Sequence, residues 1–151
     1  MLCVMRPVLT HVALHVRDLQ ASLEFYSNVC ELRCIHRRGE PTQPGAVAWL
    51  AEAGREHELI LVLIAGGPAR TVCADDFSHL GFALDSRDAV DRIAARGEQQ
   101  GCLAWTPRQE AYPVGYYCGL RDPDGHVVEF SYGQPLGPGA ASHEPRAARA
   151  R

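Results

Sequence analysis

HVALHVRDLQASLEFYSNVCELRC, residues 11–34, decides the fold, because HLGFALDSRDAVDRIAARGEQQGC, residues 79–102, repeats its plan. Sliding the chain on itself by 68 positions (79 minus 11) sets His11 on His79, Ala21 on Ala89, Phe25 on Ile93 and Cys34 on Cys102. Identity is sparse, but the order of features is the same: the alternating apolar residues of a strand, a short polar turn, then an amphipathic helix. Asp18 caps the first helix, whose apolar positions Leu19, Leu23, Tyr26 and Cys30 recur at helical spacing. Ser86 caps the second, with Val90, Ile93 and Ala94 as its stripe and Gly97 as its stop. Strand-like stretches follow each helix, at residues 45–51 and 57–65 in the first copy and 114–121 and 126–132 in the second. The predicted order is β-α-β-β-β, twice.

The rest of the chain fits one α+β domain over residues 1–133, built of two modules at about 8–66 and 76–133. GGPARTVCADD, residues 66–76, is rich in Gly, Pro and polar residues and reads as the linker. After Gly133 the composition shifts to Pro, Gly, Ala and Arg, so residues 134–151 are expected to form a mobile tail, pinned at most by a partner subunit. At 151 residues and 46% hydrophobic, the chain can bury one sizeable core. A net charge of -3, with every basic residue an Arg, gives no footprint for nucleic acid. Six cysteines, Cys3, Cys30, Cys34, Cys73, Cys102 and Cys118, form no CxxC pair and read as free thiols of a reducing compartment. Arg6 and Pro7 interrupt the opening residues too early for a signal peptide, and no apolar run is long enough for a membrane span. A cytoplasmic location is therefore expected.

Strand alternation then sorts the polar residues by face. On the first strand Val12, Leu14 and Val16 share one face, and His11, Ala13 and His15 the other. In the second copy Leu80, Phe82 and Leu84 oppose His79, Gly81 and Ala83. Each strand offers bulky residues to a helix and a histidine among small neighbours to a cavity. The last strand follows the β-turn RDPDG, and it sets Val127, Glu129 and Ser131 opposite Val128, Phe130 and Tyr132. A carboxylate on a half-buried strand is costly unless paired or bound to a metal. If the copies pack about a pseudo-twofold axis, Glu129 can meet both His11 and His79. Two imidazoles and one carboxylate form the facial triad of non-haem Fe(II) sites, and the same donors suit Mn(II) or another divalent ion.

These residues carry a resemblance. LTHVALHVRDLQASLEFY, HLGFAL and GYYCGLRDPDGHVVEFSYG resemble the vicinal oxygen chelate superfamily, over roughly residues 8–133. That group includes glyoxalase I, methylmalonyl-CoA epimerase, fosfomycin-resistance transferases, extradiol ring-cleavage dioxygenases and metal-free bleomycin-binding proteins. The resemblance implies paired β-α-β-β-β modules forming a cupped mixed sheet with helices outside, usually in a homodimer. It also implies a divalent metal held by His11, His79 and Glu129.

Members differ in the strand within AWLAEAGREHELILVLIAGG, residues 48–67. Glyoxalase I and the epimerase take a fourth ligand, Glu or Gln, from it; the best gap-free match puts Ile60 there, with Glu58 on the same strand face as the alternative. Extradiol dioxygenases resemble this chain instead in carrying a His in a segment like REHEL, matched by His57. In that chemistry the substrate's two adjacent oxygens chelate iron, O2 is co-substrate, and the imidazole moves a proton, a task suited to a pKa near neutrality. The dioxygenases usually have a Tyr four residues before the Pro of DPDG, where this chain has Gly119; Tyr117 on the same face is its substitute, and Tyr116 belongs to the core. Fosfomycin-resistance transferases share the triad, but the aromatic and small residues of EAYPVGYYCG, 110–119, suit a flat aromatic better than a phosphonate. His15 and Cys118 complete the candidates as substrate contacts. The resulting expectation is an Fe(II) enzyme opening a catechol-like ring with O2. The alternatives are a glyoxalase-type lyase or isomerase acting through an enediolate, and a metal-free protein sequestering a drug or metabolite.

Overall fold

The structure, a computed structural model, describes residues 6–71, 73 and 75–140. Cys3 and residues 141–151 lie outside the described residues. The chain divides into two units, Met1–Thr71 and Val72–Arg151, so the boundary falls inside the stretch read as a linker. In the first, β1 (His11–Val16) leads through α1 (Leu19–Asn28) to β2 (Arg33–Arg38), β3 (Val47–Ala51) and β4 (Ile60–Ala65). In the second, β5 (His79–Ala83) leads through α2 (Arg87–Gln99) to β6 (Leu103–Gln109), β7 (Tyr116–Arg121) and β8 (Val127–Tyr132). The sheet orders are β1-β4-β3-β2 and β5-β8-β7-β6. In each, the first strand pairs in parallel with the last and the other pairings are antiparallel. The two copies are thus the same mixed β-α-β-β-β layer, in agreement with the repeat.

Both caps form as the sequence predicts. The Asp18 carboxylate accepts from the Ala21 N–H at 3.0 Å, and the Ser86 hydroxyl from the Ala89 N–H at 3.2 Å. Each satisfies an N–H that the helix cannot bond internally. A Ser86→Ala variant is expected to lose about 1 kcal/mol in urea unfolding. Leu19, Leu23 and Tyr26 are buried on α1, which ends at Asn28 and so excludes Cys30. Val90 and Ala94 are buried on α2, with Ile93 half-buried.

Gly97 does not stop α2, which runs on to Gln99. A Cβ on Gly97 would stand 2.8 Å from Cγ of Leu120, so its role is close approach of helix to sheet. The stop is Gly101 at φ +68°, with its N–H on the Glu98 carbonyl and the Cys102 N–H on the Gly97 carbonyl. That pair of bonds closes the last turn around a left-handed residue.

Two strands carry no readable pattern. β2, RCIHRR, is an edge strand exposed at every residue, so it shows no apolar alternation. β6, LAWTPRQ, is the edge of the other sheet, with register shifts and Pro107, whose missing N–H an edge strand tolerates.

One face of each sheet carries its helix. In the second unit Val90 of α2 packs with Cys118, Leu120, Val128 and Phe130, all essentially inaccessible. The opposite face bears the histidines. His11, Ala13 and His15 are exposed while Val16 is fully buried, and in β5 His79 and Gly81 are exposed between half-buried Leu80 and Phe82.

Candidate metal and substrate site

In the second unit β8 lies between β5 and β7, and register fixes what surrounds its carboxylate. Glu129 stands opposite Gly81 on one side and Gly119 on the other. Directly opposed residues share a face, so the carboxylate is flanked by two positions without side chains. A Cβ on Gly81 would meet nothing within 4 Å, which leaves space beside the carboxylate toward β5. The carboxylate of Glu129 is only 7% exposed, and its Oε2 lies 3.4 Å from Nε2 of His79.

The other ring nitrogen of His79 settles what that distance means. Its Nδ1 is 2.7 Å from the Phe77 carbonyl oxygen, which only accepts, so Nδ1 carries the hydrogen. In the neutral ring Nε2 then presents a lone pair toward a carboxylate oxygen, an arrangement completed by a bound cation or by a proton on Nε2. Adjacent donors on an octahedral ion with bonds near 2.1 Å are about 3 Å apart, so the pair fits two neighbouring coordination positions. Anchoring of the non-ligating nitrogen by a carbonyl is how metal-binding imidazoles are held. In the first unit, Nδ1 of His11 is held by the Thr10 hydroxyl at 3.0 Å, with Nε2 as its outward nitrogen. Within neither unit do three His, Cys, Asp or Glu side chains surround one point among the described residues. The second unit supplies a pair, and the first a single imidazole.

The repeat identifies the position that a fourth ligand would occupy. His79 is in register with Val127, two residues before Glu129, and His11 is in register with Ile60. The counterpart of Glu129 is therefore Val62, not Ile60 as the gap-free match suggested, and both are apolar. Glu58 is not on the strand, which begins at Ile60; it lies in the preceding turn, exposed, with Nε of Arg55 2.7 Å from its Oε2. His57 lies in the same turn, exposed. Thr10, His11, Ala13, Trp49, Ile60, Val62 and Ile64 line a hollow of about 340 Å³, large enough for a small organic molecule. His57 is not part of that lining, and His15 stands exposed further along the His11 face, its backbone against Gly67.

Trp105, which the sequence did not single out, explains why residue 119 is glycine. A Cβ at Gly119 would fall 2.6 Å from Cε3 and 2.9 Å from Cδ2 of Trp105. The indole meets His79 edge to face at 5.5 Å, Tyr117 at 6.2 Å and Phe77 at 6.3 Å between ring centroids. An aromatic wall thus rises on the carboxylate face, with Tyr117 on it as expected. Tyr116, on the other face, donates to Asp91 at 2.6 Å and carries Arg87 over its ring. The signal for Trp105 was hidden by the irregular register of β6.

Cys118 is a correction. One residue from Tyr117, it points the other way, fully buried, with Sγ donating to the Val90 carbonyl at 3.6 Å. It packs under α2 and cannot contact a substrate on the His79 face. Burial, then the nearby Asp91 and Glu129 charges, push its thiol up to about 12, so about one in 10⁴ is ionised at pH 8. Iodoacetamide applied to the native protein at that pH is expected to label exposed Cys34 and spare Cys118, as read by peptide mass spectrometry.

Two four-stranded β-α-β-β-β layers, each with a histidine opening its first strand on the face away from the helix, define the class. The family model of the Glyoxalase/Bleomycin resistance protein/Dioxygenase superfamily matches residues 8–130, and the chain belongs to that superfamily. The uncharacterized protein PA2024 of Pseudomonas aeruginosa is 58% identical over 136 residues, spanning 90% of this chain and 96% of its own. The lactoylglutathione lyase of Salmonella typhimurium is 23% identical over 133 residues, 87% of this chain and 96% of its own. Among solved structures, a mutant of the fosfomycin resistance protein FosX from Listeria monocytogenes, complexed with Mn(II) and 1S,2S-dihydroxypropylphosphonic acid, superposes with TM-score 0.63 at 23% identity. It covers 84% of this chain and 93% of its own. No helix among the described residues is long and apolar enough to cross a membrane.

Proposed function

We propose that the chain is a divalent-metal-dependent enzyme that opens a catechol-like ring beside its hydroxyls, consuming O2 and placing both oxygen atoms in the product. His11, His79 and Glu129 are the ligands. The observation that carries it is Val62 at the repeat's counterpart of Glu129. Three protein ligands leave positions for a substrate with two adjacent oxygens and for a co-substrate, whereas a fourth would remove one. Bound there, Fe(II) would supply Lewis-acid and one-electron chemistry; Mn(II) or another divalent ion satisfies the same donors.

The chain's own residues do the remaining work. Trp49, Ile60, Val62 and Ile64 give the His11 face an apolar lining that excludes water and suits a flat ring. Trp105 and Tyr117 do the same beside His79. His57 is assigned the movement of a proton from a substrate hydroxyl, and Tyr117 and His15 the orientation of the substrate. A cytoplasmic homodimer is the expected form of the enzyme.

The relatives' names favour a second reading. A lactoylglutathione lyase and FosX are both named among them, so isomerisation of a 2-oxo substrate, or attack on a small phosphonate, is the competing chemistry on the same ligands. Incubating the Fe(II)-loaded protein anaerobically with a substituted catechol and then admitting O2 separates them. A coloured ring-fission product with stoichiometric O2 uptake supports cleavage. Consumption of methylglyoxal with glutathione, or of fosfomycin, without any catechol turnover defeats it.

A further inference from the structure

The segment after β8 was expected to be mobile, but its first residues return to the carboxylate. Gly133 has φ +86°, a conformation that only glycine adopts freely, and it turns the chain at the end of β8. Gln134 then points back along the strand, and its Nε2 donates to Oε1 of Glu129 at 3.0 Å. The two oxygens of Glu129 are thereby divided: Oε1 is held by the amide, and Oε2 faces Nε2 of His79.

The following residues hold that turn against the sheet. A Cβ on Gly137 would lie 2.5 Å from Cβ of Ala83, and one on Gly139 2.7 Å from the Leu84 carbonyl oxygen and 2.6 Å from the Tyr132 ring. Residues 133–139 thus form a strap lying directly on the ends of β5 and β8. Without it, fixing a side chain as flexible as glutamine's would cost conformational entropy.

We propose that Gln134 is a positioning residue that sets the rotamer of Glu129 and keeps Oε2 aimed at the ion, with the strap as its support. The proposal rests on the reading above that Glu129 is a metal ligand. An amide donating to one oxygen of a carboxylate leaves the other free to coordinate, and partners of this kind typically govern metal affinity by about 10–100-fold. Leu136, 78% exposed on the strap, takes no part.

The test uses the full-length protein stripped of metal with a chelator and titrated with Mn(II) by calorimetry. Gln134→Met keeps the length of the side chain and removes the donor; Gly137→Val keeps the donor and lifts the strap. Both are expected to bind Mn(II) about 10–100-fold more weakly than the unsubstituted chain, while the metal-free melting midpoint of Gln134→Met stays unchanged. Wild-type affinity in Gln134→Met overturns the proposal and leaves the ligand assignment standing. So does a fall in its metal-free midpoint large enough to account for the weaker binding, because that marks a structural role. Absence of Mn(II) binding by the unsubstituted chain overturns the ligand assignment and this proposal together.

Discussion

A Glu129→Ala chain is expected to be purified without tightly held Fe(II) or Mn(II), and to lose on the order of 10³-fold in kcat/KM, a change of about 4 kcal/mol. Among the described residues of β5, β7 and β8, the carboxylate is the only acid on the face it shares with His79, Gly81, Ala83, Tyr117, Gly119, Val127 and Ser131. No other acid on β5, β7 or β8 can take its place. The Gln134 amide loses an acceptor, but it is half-buried and can turn to water, so the fold should survive. Circular dichroism should match the parent while metal analysis after anaerobic purification does not. Full metal content and full turnover in this variant would remove Glu129 from the site. His79→Ala should behave similarly, whereas His57→Ala is expected to retain metal and lose turnover.

Gly119→Tyr should cost about 3 kcal/mol or more in denaturant unfolding, an overpacking penalty at the upper end of the usual range. The extended-strand backbone at residue 119 would accept a side chain, so the obstacle is space: the Trp105 ring occupies the position of the new Cβ, with Cγ1 of Val127 3.1 Å away on the other side. Because Trp105 also contacts His79, displacing it should shift indole fluorescence and weaken metal binding in the same variant. Adding Trp105→Ala should recover part of the lost stability, and a double-mutant cycle should give a coupling of about 1–3 kcal/mol. Strictly additive losses would mean that the indole does not hold Gly119 in place. A Tyr at this position, as the resemblance to dioxygenases suggests, and Trp105 are thus alternative ways to fill one space.

The histidine faces were legible because side-chain alternation is local: His11 and Ala13, or His79 and Gly81, share a face whatever the strand pairs with. The helix starts were legible for the same reason, since Asp18 and Ser86 bond N–H groups three residues ahead. Cys118 could have been assigned correctly by that rule, because it neighbours Tyr117 and must face the other way. Its proximity to the site in sequence concealed that it packs under Val90.

By itself, then, the sequence determined the duplication, the capped helices and which residues of β1, β5 and β8 turn away from the helices, all consequences of spacing within a few residues. Only the tertiary structure decided that Val62 matches Glu129, that Trp105 fills the place beside Gly119, that Gly97 lies inside α2 because Leu120 presses on it, and that Gln134 holds the carboxylate. Each of these depends on which distant segment arrives alongside, and register and close approach are set by packing across strands that no local pattern encodes.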